Sequence, residues 1–200
     1  MSGNGPLDER AQPPMQLPLH LHQQLPLRTP RLRLVELDLS HLPTLAAMLA
    51  DPVVMRYFPR VMTTMESEQW LRRTIDRYRQ HGTGLLAVMQ DGEGPAKFIG
   101  DCGVQVRTFG GQRRLELGYH FTRGAWGRGY ATEAARACIM LALRHSDVPD
   151  VVALIRPENG PSMRVARRVG MTREGCVLHA GLVHDVWRVT RQAFEALALQ

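Results

Sequence analysis

The segment Trp126-Gly127-Arg128-Gly129-Tyr130-Ala131-Thr132-Glu133-Ala134-Ala135 constrains this chain more than any other. It follows an alternating run, Leu115-Glu116-Leu117-Gly118-Tyr119-His120-Phe121, whose period of two reads as a strand, and it opens a run with helical spacing. Glycines at a helix start leave several backbone N–H groups unpaired, unscreened by side chains and pointing the same way. The helix dipole adds partial positive charge at that place, so the turn suits a phosphate.

Two familiar phosphate turns do not fit. A P-loop requires Lys-Ser or Lys-Thr after its last glycine, where this chain has Tyr130-Ala131. A Rossmann turn requires a third glycine and an acidic residue on the next strand. A second segment carries related information. Residues 151–155 are short, apolar and rich in β-branched side chains, as a buried strand should be. They run into Arg156-Pro157-Glu158-Asn159-Gly160-Pro161-Ser162 and a helix to Arg168, closed by Gly170. Taken alone, Asn159 and Ser162 are ordinary helix-start residues around a first-turn proline.

The two segments together, each at a strand-to-helix junction, resemble the two signature motifs of the GNAT acetyltransferases. The loop is similar to the acetyl-CoA motif Gln/Arg-x-x-Gly-x-Gly/Ala, with Trp126 first, Gly129 at the glycine and Ala131 at Gly/Ala. Trp126 departs from the general motif, but Trp-Gly-x-Gly-Tyr-Ala-Thr-Glu-Ala resembles the branch that acetylates ribosomal-protein N-termini. The resemblance implies a single α/β domain: a mixed central sheet flanked by helices, its two central strands splayed apart. It places that domain at residues 27–200, after a flexible extension at residues 1–26 that is rich in Pro, Gln and Leu and lacks any sustained period.

Within the domain, residues 31–35 read as a strand, and a helix begins at Ser40 and runs through Leu42, Leu45, Ala46 and Leu49. Residues 65–80 form a second amphipathic helix with Trp70, Leu71, Ile75 and Tyr78 on its apolar side. Strands are expected at 85–90, 97–107 and 113–121, joined as hairpins through Asp91-Gly92 and Gly110-Gly111. Two further strands, near 171–177 and 184–190, close the chain.

Composition excludes several classes. No apolar run approaches a membrane span, and the N-terminus lacks the apolar core of a secretory signal. The three cysteines, Cys102, Cys138 and Cys176, are widely spaced within apolar patterns, which reads as buried free thiols in a reducing compartment; cytoplasm is the expected location. The eight histidines are scattered without ligand spacing, so no metal is expected. The formal charge of +6 is carried almost wholly by arginine, since Lys97 is the only lysine. Such a surface favours anionic partners such as CoA phosphates, and without basic runs or aromatic–basic interleaving nucleic-acid binding is the minority reading.

The resemblance also implies a site. Acetyl-CoA is the donor cosubstrate, its pantetheine lying between the strands 115–121 and 151–155. Backbone groups near His120 and Phe121 would hold pantetheine and polarise the thioester. The loop at Trp126, Gly127, Arg128, Gly129, Tyr130 and Ala131, with the Thr132 hydroxyl, would hold the pyrophosphate. Arg128 or Arg168 would reach the outer phosphates, and Asn159 would hydrogen-bond pantetheine or a bridging water. Direct transfer to an amine needs alignment, a base and carbonyl stabilisation. Glu116 is the first candidate base, on a polar lane shared with Gly118 and His120, and His120 is the second. Ser162 is the candidate proton donor to the departing thiolate. The acceptor amine is open: a protein N-terminus, or an antibiotic or polyamine. A non-catalytic CoA-binding domain is the rival class, and homodimerisation is left open.

Overall fold

The computed structural model describes residues 15–92, 94–109 and 112–198. Eight strands form one mixed sheet in the order β1-β2-β3-β4-β5-β6-β8-β7. They are β1 (Leu27–Arg28), β2 (Leu32–Glu36), β3 (Leu85–Gln90), β4 (Lys97–Phe109), β5 (Gln112–Phe121), β6 (Asp150–Ile155), β7 (Thr172–His179) and β8 (Leu182–Thr190). The helices are α1 (Leu42–Leu49), α2 (Thr64–His81), α3 (Tyr130–Arg144), α4 (Gly160–Arg168) and α5 (Arg191–Ala198). This is the α/β architecture with a mixed sheet expected from the motifs.

The sheet is covered on both faces, and β3 records this in its sequence. Leu86 and Val88 belong to a core that includes Ala134, Ala135, Cys138 and Ile139 of α3. Leu85 and Ala87, pointing the other way, join Leu45 and Leu49 of α1 and Leu71 of α2. A strand buried on both sides has no polar alternation to show, hence the continuous run Leu-Leu-Ala-Val. Each of these fully buried leucines contributes on the order of 2 kcal/mol of transfer free energy.

Helix boundaries follow local chemistry. Asp38, not Ser40, caps the first helical segment, and Ser40 donates to it; a short 3-10 turn, Leu39–His41, precedes α1. At α2 a capping box links Thr63 and Glu66, and Gly82 ends the helix at φ 69. A side chain at Gly82 would meet the backbone N of His20 at 2.3 Å. This close approach anchors the N-terminal segment: Leu19 N–H donates to His81 C=O at 2.8 Å and His22 N–H to Gly82 C=O at 3.1 Å.

Several expectations change here. The segment before Leu27 supplies a core residue after all, since Leu21 is only 1% exposed; residues 1–14 lie outside the described residues. Cys102 and Cys138 are buried, but Cys176 is exposed, because β7 is the sheet's edge strand and this residue alternates outward. The closing strands run to His179 and from Leu182, and α5 follows them with Phe194 in the core, a helix the sequence reading did not include. The Gly110-Gly111 turn lies outside the described residues, but β4 and β5 pair in the register of a two-residue hairpin, Phe109 opposite Gln112.

The position of the site is set by β5 and β6. They run parallel, and among the described residues Glu116↔Val152 is their one register pair. Beyond it, toward Phe121 and Ile155, no ladder joins the two strands. α3 and α4 both start at the far end of this gap, just after β5 and β6 respectively.

Candidate active site

A cavity of about 450 Å³ opens at that gap. Its walls come from β5 (Tyr119, His120, Phe121), from the loop and first turn of α3 (Trp126, Gly127, Gly129, Tyr130, Ala131, Thr132) and from α4 and its cap (Asn159, Ser162, Arg164, Arg168). The segment between α1 and α2 adds Arg56, Tyr57 and Phe58.

The loop has the backbone geometry the glycines foretold. Gly127 and Gly129 have φ of 73° and 79°, the left-handed region where a side chain is strained. Gly129 caps α3 without a side-chain partner. Among the described residues, the six N–H groups from Gly127 to Thr132 find no hydrogen-bond acceptor. A run of orphan donors at a helix N-terminus fits a pyrophosphate by its own chemistry.

Glu133 in the first turn of α3 would oppose an anion, but its charge is taken up from outside. It accepts from Thr29 Oγ1 at 2.6 Å, from Arg31 N at 3.0 Å and from Arg31 Nε at 2.7 Å. These bonds outweigh its partial burial and hold its pKa below the usual carboxylate value. Arg31 also donates Nη1 to the Arg128 carbonyl at 2.9 Å and lies over the Tyr130 ring at 4.6 Å, tying the loop to the strand edge.

Trp126 contributes more than backbone. Its indole N–H donates to the Phe121 carbonyl at 2.8 Å, so the end of β5 is fixed by the loop that follows it. Arg128 is exposed and outside the cavity wall, whereas Arg168 lines it.

His120 and Glu116 are separated by the structure. His120 lines the cavity and its Nδ1 lies 2.9 Å from Asp101 Oδ1, with the carboxylate wholly buried. Burial favours the neutral ring, but the Asp101 charge and hydrogen bond together outweigh it, raising the His120 pKa. With Nδ1 engaged, Nε2 is the nitrogen left to exchange a proton with substrate. Phe58 packs against the ring at 4.6 Å and Trp70 meets it edge-on at 6.1 Å. Glu116 shares this face of β5 but lies four residues back, on the order of 13 Å along the strand. There it pairs with Arg107 at 2.8 Å and does not line the cavity. The lane between them is roofed by α2, whose Arg77 reaches Gln105 at 3.4 Å.

On α4, Asn159 Oδ1 accepts from the Ser162 N–H at 3.1 Å, an ordinary helix cap that also borders the cavity. The Ser162 hydroxyl has no partner among the described residues. Tyr119, not singled out in the sequence, lies against the Ser162 carbonyl at 3.5 Å, and burial pushes its hydroxyl pKa up, keeping it protonated. Among the described residues no group of three His, Cys, Asp or Glu is placed to hold a metal, and no helix is long and apolar enough to cross a membrane.

A splayed sheet, a phosphate-type loop at the gap and a histidine–carboxylate pair beside it define a class, the CoA-dependent acyltransferases. The profile of the acetyltransferase (GNAT) domain matches residues 31–172, and the chain belongs to the GNAT acetyltransferase family. It is an acyltransferase that uses acetyl-CoA as donor. An uncharacterized Bacillus subtilis protein, YkkB, is 32% identical over 70% of this chain and 80% of its own length. A solved acetyltransferase from Agrobacterium tumefaciens superposes with a TM-score of 0.70 at 26% identity, covering 82% of this chain and 92% of that one. Two CoA complexes share the fold at 20% identity. The aminoglycoside acetyltransferase AAC(6')-Ib has a TM-score of 0.66 over 83% of this chain and 97% of its own. The ribosomal L7/L12 α-N-protein acetyltransferase RimL has one of 0.65 over 81% and 95%.

Proposed function

We propose that the chain is an N-acetyltransferase that passes the acetyl group directly from the thioester to an amine, with His120 as general base and Asp101 holding it. The observation that carries this reading is the cavity itself, in which the Asp101-anchored imidazole and five residues of the orphan N–H run, Gly127 and 129–132, border one space. The N–H groups of residues 127–132 and the Thr132 hydroxyl hold the pyrophosphate, and Arg168 serves the outer phosphates. The amine lone pair attacks the thioester carbonyl carbon, the C–S bond breaks, and the amine proton passes to His120 Nε2. Backbone groups near His120 and Phe121 stabilise the developing oxyanion, and Ser162 passes its hydroxyl proton to the thiolate and takes one back from solvent. Because a thiolate leaves tolerably well, Ser162 matters less than the base. Glu116, the first candidate from sequence, then acts on β5 through Arg107 rather than on the amine.

The wording of the loop favours the branch that modifies ribosomal-protein N-termini, and RimL shares the fold. AAC(6')-Ib, which acts on aminoglycosides, shares it equally well, so a small amine stands as the second reading. Thiol release from acetyl-CoA, followed against ribosomal-protein N-terminal peptides, polyamines, aminoglycosides and amino acids, tests both. Turnover confined to one class names the acceptor; failure to bind CoA removes the reading.

A further inference from the structure

We propose that the acceptor carries a carboxylate close to its amine and that Arg56 reads it; this rests on the acetyltransferase reading above. The cavity is lined by three arginines, Arg56, Arg164 and Arg168, and by no Asp or Glu. Carboxylates on the elements framing it are already engaged. Asp101 holds His120, Glu116 pairs with Arg107, Asp185 with Arg173 and Glu158 with Arg156. In the first turn of α2, Glu66 pairs with Arg60, and between α1 and α2 Asp51 accepts from the Val53 N–H. A polycationic acceptor would meet arginines and no carboxylate on the cavity wall to replace its water.

The three arginines are not equivalent. Arg164 and Arg168 sit on α4, within reach of the loop side where phosphates belong. Arg56 sits apart from them on the segment between α1 and α2, with its guanidinium 4.7 Å from the Tyr57 ring and 5.8 Å from the ring of Trp126, where the loop begins. Among the described residues it has no carboxylate or carbonyl partner. Two aromatic neighbours hold the planar group while its N–H edge stays free, and that edge matches a carboxylate in a two-pronged contact. Phe58, two residues on, packs on His120. The Cα atoms of residues 56 and 58 are at most about 7 Å apart, so base and guanidinium serve one small region. Amino acids, and peptides beginning with Asp or Glu, have the required chemistry.

The test compares each amino acid with its own amide, which keeps the amine and loses the charge, alongside Asp- and Glu-initiated peptides, spermidine and an aminoglycoside. Acetyl-CoA affinity is measured separately by calorimetry. The wild-type protein should prefer the acid over its amide by about tenfold or more in kcat/KM, as a charge-assisted hydrogen bond supplies. Arg56→Met should bring that ratio near one at unchanged acetyl-CoA Kd, Arg56→Lys should restore part of it, and Arg56→Glu should favour the amide. Free amino acids turning over better than acidic peptides identifies the small-molecule source, and the reverse identifies a chain terminus. Equal use of acid and amide, preference for spermidine or the aminoglycoside, or no turnover with acetyl-CoA bound overturns the proposal. So does an Arg56→Met variant that loses acetyl-CoA affinity and keeps the ratio. Wild-type protein that binds no acetyl-CoA instead removes the acetyltransferase reading underneath.

Discussion

Asp101 and His120 stand directly opposite one another on β4 and β5, and the buried carboxylate grips the ring through Nδ1 at 2.9 Å. The pair gives opposite pH signs to stability and to rate. A raised folded pKa means the charged ring stabilises the fold fully below its ordinary value near 6.5, and that contribution disappears as pH rises through the folded pKa. Urea titrations should therefore show Asp101→Asn costing more at about pH 6 than at about pH 9. With His120 as the proposed base, catalysis needs the neutral ring, so kcat/KM should climb as pH passes the raised pKa. Asp101→Asn should move that limb to lower pH and lower its plateau. His120→Ala should cost about a hundredfold or more, whereas Glu116→Gln should cost less than about threefold; a larger loss in the Glu116 variant would return the base to that residue.

Gly129 has room for a methyl group, since an added Cβ meets only Arg31 Nη2 at 3.5 Å, but its φ of 79° does not suit one. Gly129→Ala should cost about 1 kcal/mol of stability through the backbone alone. Gly129→Glu adds a charge where phosphate belongs and should abolish acetyl-CoA binding in calorimetry. A folded Glu variant with wild-type affinity would remove the loop's assigned role.

Arg31 acts at a distance from any substrate, by covering the Glu133 carboxylate and holding the Arg128 carbonyl. Arg31→Met should raise the acetyl-CoA Kd by about three- to tenfold, because a first-turn carboxylate is then free to oppose the phosphates. Adding Glu133→Gln should recover part of that loss, and kcat should change little. A drop in kcat at constant Kd would contradict this role.

Asp150, 3% exposed, receives Arg114 at 3.2 Å and Arg188 at 2.8 Å, and both arginines also reach Glu174. Removing the carboxylate takes the buried anion from between two cations at the β5–β6–β8 junction and leaves them to share the more exposed Glu174. Asp150→Ala should destabilise by about 3 kcal/mol in urea unfolding, with activity per folded molecule retained below the transition.

The glycine turn, its following helix and the α4 cap are legible because each depends on local backbone chemistry: two glycines, a proline and an Asn within a few residues. His120 was legible as a second candidate, while Asp101 was passed over as one acid in an apolar strand. The missing signal was register. A two-residue tip at positions 110 and 111 pairs 109 with 112 and, counted outward, 101 with 120. The distance of Glu116 from the cavity is hidden from sequence for a related reason. Strand alternation places it on the correct face, but alternation is blind to distance along the strand and to α2 lying across the lane. The role of the Trp126 side chain is invisible in sequence because it finds its partner, the Phe121 carbonyl, only once the turn is folded. Leu21 lay in a proline-rich stretch with no period, and its burial depends on a tertiary contact with Gly82.

The single register pair between β5 and β6 gives the sheet an edge in its interior. Strand edges at a sheet's perimeter invite any extended chain, and proteins blunt them with charge or twist. Here the unmatched backbone faces inward, between the starts of α3 and α4, where the proposed donor site would let a ligand complete the ladder. A donor seated there works as a missing strand: it ties the β1–β5 leaf to the β6–β7–β8 leaf. Its binding should therefore register as cohesion of the whole fold, with amides bordering the gap slowing in hydrogen exchange and Tm rising with the logarithm of donor concentration.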